Sequence, residues 1–152
     1  MRKKRVMVIG PAGCGKSSLI QFLEGRHAPL RKAPEPIYGE KTIDCPGGYV
    51  ENTYMYKHLI AIAQDASYVV LVIDASKQMD VYSPGFAQVL GKPTVGVITK
   101  LDLAPENEMI CRERLRRAGV QGPVFCLNAS EGTGVQAIKG YLFHPEREEA
   151  SQ

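Results

Sequence analysis

The stretch Val6-Met7-Val8-Ile9-Gly10-Pro11-Ala12-Gly13-Cys14-Gly15-Lys16-Ser17 decides how this chain is read. Four apolar residues suit a buried strand, and Gly10 to Ser17 fit the complete pattern G-x-x-x-x-G-K-[ST] directly after it. In that context the glycines let backbone N–H groups close around a phosphate, and a helix starting near Lys16 turns its positive dipole end towards the same point. Gly10, Gly13, Cys14, Gly15, Lys16, Ser17 and Ser18 are therefore candidate nucleotide-binding residues. Lys16 is expected to stand as an exposed cation reaching the β- and γ-phosphates, which also makes it the candidate catalytic residue. The Ser17 hydroxyl is a candidate ligand of Mg²⁺.

Strand and helix signals alternate beyond this point. Leu19, Ile20 and Leu23 form a helical stripe ending at Gly25, and residues 26–36, with three prolines, read as a loop. A strand is expected over Ile37 to Ile43. Met55, Leu59, Ile62, Ala63 and Ala66 carry helical spacing, and Tyr68 to Ile73 is an apolar run of strand length ending in Asp74. Thr94 to Ile98 is a further strand. Cys111, Leu115 and Ala118 before Gly119 mark a helix, and Val124 to Leu127 with Val135 to Leu142 supply a last strand and helix. This order predicts an α/β fold with a doubly wound, mainly parallel sheet, a three-layer Ras-like P-loop NTPase sandwich, over residues 1–143. A frayed charged tail is expected over 144–152. Ligands of such a sheet sit at the carboxyl ends of its strands.

The remaining motifs fall at those ends. Asp44-Cys45-Pro46-Gly47 follows the second strand, where the Asp44 carboxylate is a candidate Mg²⁺ ligand and the Gly47 amide can meet a γ-phosphate. Thr99-Lys100-Leu101-Asp102 follows Thr94 to Ile98. An aspartate there accepts from the N1–H and exocyclic amine of guanine while the lysine stem covers the ring, and adenine lacks both donors. Asn128, Ala129 and Ser130 follow the last strand and bring backbone N–H groups towards the base carbonyl.

Taken in this order, the motifs resemble those of the translation-factor class of small P-loop GTPases. More narrowly, Gly13 to Ser17, Ile43 to Gly47, Tyr49-Val50-Glu51-Asn52, Ser83-Pro84-Gly85-Phe86 and Gly96 to Asp102 resemble the EutP/PduV family of ethanolamine- and propanediol-utilization proteins, from about Arg5 to Leu142. The resemblance implies ATP or GTP as ligand with Mg²⁺, and association with a bacterial microcompartment. It further implies a shell or an enzyme of that compartment as partner and, in the ethanolamine branch, ATP-dependent acetate kinase activity. That activity and the guanine reading of Asp102 pull apart, so ATP and GTP both stay open. Three positions depart from the family: Ala33 replaces a threonine, Gly48 a glutamate and Thr53 an arginine. Fewer polar groups around one γ-phosphate imply slow transfer, with Lys16 and Arg31 or Lys32 as the cations left. A docking module with little turnover is the competing reading.

Composition narrows the alternatives. At 152 residues and 44% hydrophobic, the chain suits one domain with a real core. A net charge of +3, with Lys and Arg gathered in residues 1–5 and 112–117 and no interleaved aromatics, gives no case for nucleic acid. The apolar run ends at Gly10, too soon for a signal peptide, and no later run reaches membrane length, so a cytoplasmic protein with no membrane partner is expected. Cys14, Cys45, Cys111 and Cys126 lack metal spacing and read as reduced. Cys14 lies where a thiol pKa tends to fall, so a redox role stands beside simple packing. His27, His58 and His144 lack ligand spacing. Met79, Tyr82 and Phe86 are either an exposed partner patch or side chains folded back on the sheet, the second being favoured.

Overall fold

Val6 and Val8 enter one layer of the core while Met7 and Ile9 enter the other, because successive side chains of a strand point to opposite faces. Together they form β1 (Arg5–Ile9), inside a six-stranded sheet of order β2-β3-β1-β4-β5-β6. The computed structural model describes residues 5–25, 35–77, 81–128, 132 and 134–143, without the side chains of Glu51 and Thr53. Parallel to β1 run β3 (Thr42–Asp44), β4 (Ala66–Asp74), β5 (Thr94–Thr99) and β6 (Val124–Leu127). An antiparallel edge strand, β2 (Ile37–Tyr38), pairs with β3.

Helices cover both faces. α1 (Lys16–Glu24) and α6 (Val135–Phe143) pack Leu19, Leu23, Ile138 and Leu142 over the Val6 and Val8 face. The opposite face takes Leu59 from α3 (Tyr56–Ala63), Leu90 from α4 (Phe86–Leu90) and Leu115 from α5 (Glu108–Arg117). A short α2 (Gly47–Glu51) follows β3 and buries Val50 there too. This is the doubly wound α/β architecture that the alternating elements predict. The chain passes from β3 on one side of β1 to β4 on the other, so the topological switch lies at the carboxyl end of β1, where the Gly10–Gly15 loop begins.

Two local expectations are corrected, and one open alternative is decided. Ile37 to Ile43 is not one strand: the Gly39 amide donates to Thr42 O at 2.8 Å and folds the segment into the β2–β3 hairpin. Glu24 of α1 holds that turn, its Oε2 accepting from the Lys41 amide, the Thr42 amide and the Thr42 hydroxyl. The helix carrying Leu59 stops at Ala63, and Ala66 opens β4. Tyr82 and Phe86 follow the favoured reading, folded back and buried with their rings 5.6 Å apart, where Gly85 in a left-handed conformation starts α4 immediately after Pro84. Met79, and with it residues 26–34 and 144–152, lies outside the described residues.

Candidate functional site

Gly10 leaves β1, and Gly13 and Gly15 take left-handed backbone angles, φ +77° and +93°, that close the loop and bring the chain into α1 at Lys16. The Cys14 amide donates to Pro11 O across the turn. Ser17 is exposed at the start of α1 and Ser18 half-buried behind it. Lys16 is not the exposed cation expected: it is buried, with its Nζ 2.5 Å from Asp44 Oδ1. The cause is register. Val8 pairs with Asp44, so the end of β3 lies beside the end of β1 and under the first turn of α1.

Gly47 is pressed against the same loop. A Cβ at this position would stand 2.5 Å from the Ala12 amide nitrogen, so a side chain there collides with backbone. Gly48, one residue on, has open space around its Cα.

The Thr99-Lys100-Leu101-Asp102 segment is tied to the loop from the other side. Thr99 donates its hydroxyl hydrogen to Cys14 O at 2.6 Å, and Lys100 Nζ donates to Gly13 O at 2.9 Å. Lys100 reaches there from a left-handed backbone (φ 59°), which is costly for a lysine and persists because both ends are held: its ammonium also pairs with Asp74 Oδ2 at 3.1 Å. Asp102 lies exposed in the turn that follows, and Asn128 is half-buried at the end of β6. Ala129 and Ser130 lie outside the described residues.

Four participants were not among the site residues expected from sequence. Asp74 Oδ1 accepts from the Ser76 amide and hydroxyl. Burial pushes the Asp74 carboxyl up, but those two hydrogen bonds and the Lys100 ammonium outweigh it and hold the group below its ordinary value. Tyr82, fully buried, donates its hydroxyl hydrogen to Val72 O (2.6 Å) and lies 3.2 Å from Ile9 O, bracing the strand ends beneath the loop. Asn107 donates to Ala75 O. Lys77 hangs over Gly13. Of these, Asp74 carries a sequence signal as an acid closing an apolar strand, and Tyr82 carries one only for packing.

Cys14 does not have a lowered pKa. Burial raises its thiol, and the nearby Lys16 only partly offsets this, so the side chain packs as a small apolar group. No group of three or more His, Cys, Asp or Glu fit to hold a metal is present among the described residues. Nor is any described helix long and apolar enough to cross a membrane.

With this geometry in view, comparison places the chain among known proteins. The family described as "Ethanolamine utilisation - propanediol utilisation" matches residues 3–144. The chain belongs to that family. Among its relatives is the propanediol utilization protein PduV of Citrobacter freundii, 40% identical over 140 residues, 91% of this chain and 93% of that protein. Another, named "Probable acetate kinase EutP", from Escherichia coli K12, is 29% identical over 141 residues, 91% of this chain and 89% of that protein. Among solved structures, a probable GTP-binding protein engB superposes with a TM-score of 0.69 at 17% identity, covering 95% of this chain and 99% of that one, which shows the shared fold.

Proposed function

We propose that this chain binds a nucleoside triphosphate at Gly10–Ser18, favours guanine through Asp102, and transfers the γ-phosphoryl group slowly. The observation that carries the reading is the double tie of Thr99 to Cys14 O and Lys100 to Gly13 O. It couples the segment that would read a base to the loop that would cradle phosphates. Thr99, standing where an asparagine is commoner, keeps its link to the loop through a hydroxyl.

Ser17 and Asp44 offer a hydroxyl and a carboxylate, hard oxygen donors of the kind Mg²⁺ takes together with phosphate oxygens and water. Bound there, it would neutralise charge on the terminal phosphates. Lys16 would exchange Asp44 for phosphate oxygens as the tail enters. Asn128, with Ala129 and Ser130, would close on the base. Gly47 would present its amide to the γ-phosphate. Gly48 offers no side chain to orient water or an acceptor, which supports slow turnover.

Family membership supports a place in propanediol or ethanolamine utilisation, with a microcompartment as location and its shell or an enzyme as partner. The name of the Escherichia coli relative favours a second reading, ATP-dependent phosphorylation of acetate. Turnover of GTP and ATP, each with and without acetate, tests both. Slow release of phosphate from GTP, unaffected by acetate, supports the first; acetyl phosphate formed from ATP at several per second supports the second.

A further inference from the structure

The turn after β4, Asp74-Ala75-Ser76-Lys77, is held from both sides. Lys77 N donates to Asp74 O at 3.2 Å and Ala75 N to Thr99 O at 2.9 Å, while the Asn107 amide fixes Ala75 O and the buried Asp74 carboxylate fixes Ser76. From this anchored turn the Lys77 side chain brings its ammonium against Gly13 of the phosphate loop. A Cβ placed on Gly13 would lie 3.1 Å from Lys77 Nζ, so the ammonium stands against the open side of Gly13 while the carbonyl of the same residue is taken by Lys100.

Of the three lysines at the loop, two are already paired with carboxylates: Lys16 with Asp44 and Lys100 with Asp74. Among the described residues no carboxylate pairs with Lys77, although Asp74 lies three residues before it and is occupied by Ser76 and Lys100. A cation with no ion-pair partner among the described residues, on an anchored turn and overhanging glycine backbone, suits an anion that enters the loop. We infer that Lys77 is a further binding residue for the phosphate tail of a nucleoside polyphosphate, a cation supplied by the chain itself beside Lys16. The inference rests on the nucleotide reading above and adds a residue to it. Stray solvation of an exposed lysine would need no such fixed turn.

Equilibrium titration of GTP and ATP against the wild type, Lys77→Gln and Lys77→Arg, each with a thermal melt, tests it. Lys77→Gln should weaken triphosphate binding about fivefold at low salt, and the gap should close towards ~0.5 M salt because exposed charges are screened within a few ångströms there. Lys77→Arg, which keeps the cation, should stay within about twofold of the wild type, and all three proteins should melt together. Binding by Lys77→Gln equal to wild type at both salt concentrations would overturn the assignment, as would an equal loss in Lys77→Arg. A wild type that binds neither nucleotide overturns the nucleotide reading itself, an outcome distinct from a wild type that binds while Lys77→Gln binds equally well.

Discussion

The Lys16 ammonium stands 2.5 Å from Asp44 Oδ1, both side chains buried where the phosphate loop meets the end of β3. Removing one partner of such a pair leaves the other charge buried without this counter-charge, typically at a cost of about 3–5 kcal/mol. Lys16→Ala should therefore lose nucleotide binding and also lower stability, rather than act on binding alone. In urea melts, Lys16→Ala combined with Asp44→Ala should recover a large part of that stability without recovering binding. Additive losses in the double variant would show that the pair is not coupled.

Gly47 and Gly48 differ sharply in what surrounds them. A Cβ on Gly47 meets the Ala12 amide at 2.5 Å, whereas one on Gly48 meets nothing. Gly47→Ala should push α2 off the loop, costing about 1–3 kcal/mol and at least tenfold in triphosphate affinity. Gly48→Ala should be neutral or slightly stabilising, since alanine suits a helix better than glycine. Comparable melts and affinities for the two variants would contradict the close approach at Gly47.

The space at Gly48 admits a Cβ, and the family resemblance expects a glutamate there. Wild-type transfer should run at or below about 10⁻³ s⁻¹, the order of an unassisted small GTPase. Gly48→Glu should raise the single-turnover rate more than it raises affinity, because a group that orients the acceptor acts chiefly in the transition state. A variant that binds more tightly with no gain in rate would place the missing chemistry elsewhere.

Asp74 makes the stability of the site depend on pH in a defined direction. Its carboxyl titrates lower when folded than its ordinary value, so its contribution is full above about pH 3.9, the unfolded value, and is lost as pH falls through the lower folded one. Asp74→Asn should be less stable than wild type by roughly 1–2 kcal/mol at neutral pH. The difference should hold down to about pH 5 and shrink below about pH 4, as read from melts across that range. A gap that widens on acidification would reverse the sign assigned to Asp74.

The doubly wound fold and the positions of its loops were legible in the sequence. Gly13, Gly15, Lys16, Asp44 and Thr99 to Asp102 announce themselves because their chemistry is local: a left-handed turn, a helix start, an acid or lysine closing an apolar run. Residues placed by contact across the chain were not. The β2–β3 hairpin depends on Glu24, far from Thr42 in sequence, and the burial of Tyr82 depends on carbonyls of β1 and β4. Lys16 looked exposed because nothing local reveals that Val8 pairs with Asp44. The helical stripe ran on through Ala66 since an alanine fits a helix as well as the buried start of β4.

Base preference is the most direct measurement. Titrating GTP and ATP against the wild type and against Asp102→Ala reads both the loop and the Thr99-Lys100-Leu101-Asp102 segment at once. Asp102 is exposed in the turn after Lys100, whose ammonium is tied to Gly13 O. GTP should bind the wild type at least about tenfold more tightly than ATP, one discriminating contact being worth on the order of 1–3 kcal/mol. Asp102→Ala should erase the preference while both nucleotides still bind weakly through the phosphate loop. Equal affinities for GTP and ATP in the wild type, or tighter ATP, would contradict the guanine assignment, and no binding of either would contradict the nucleotide site altogether.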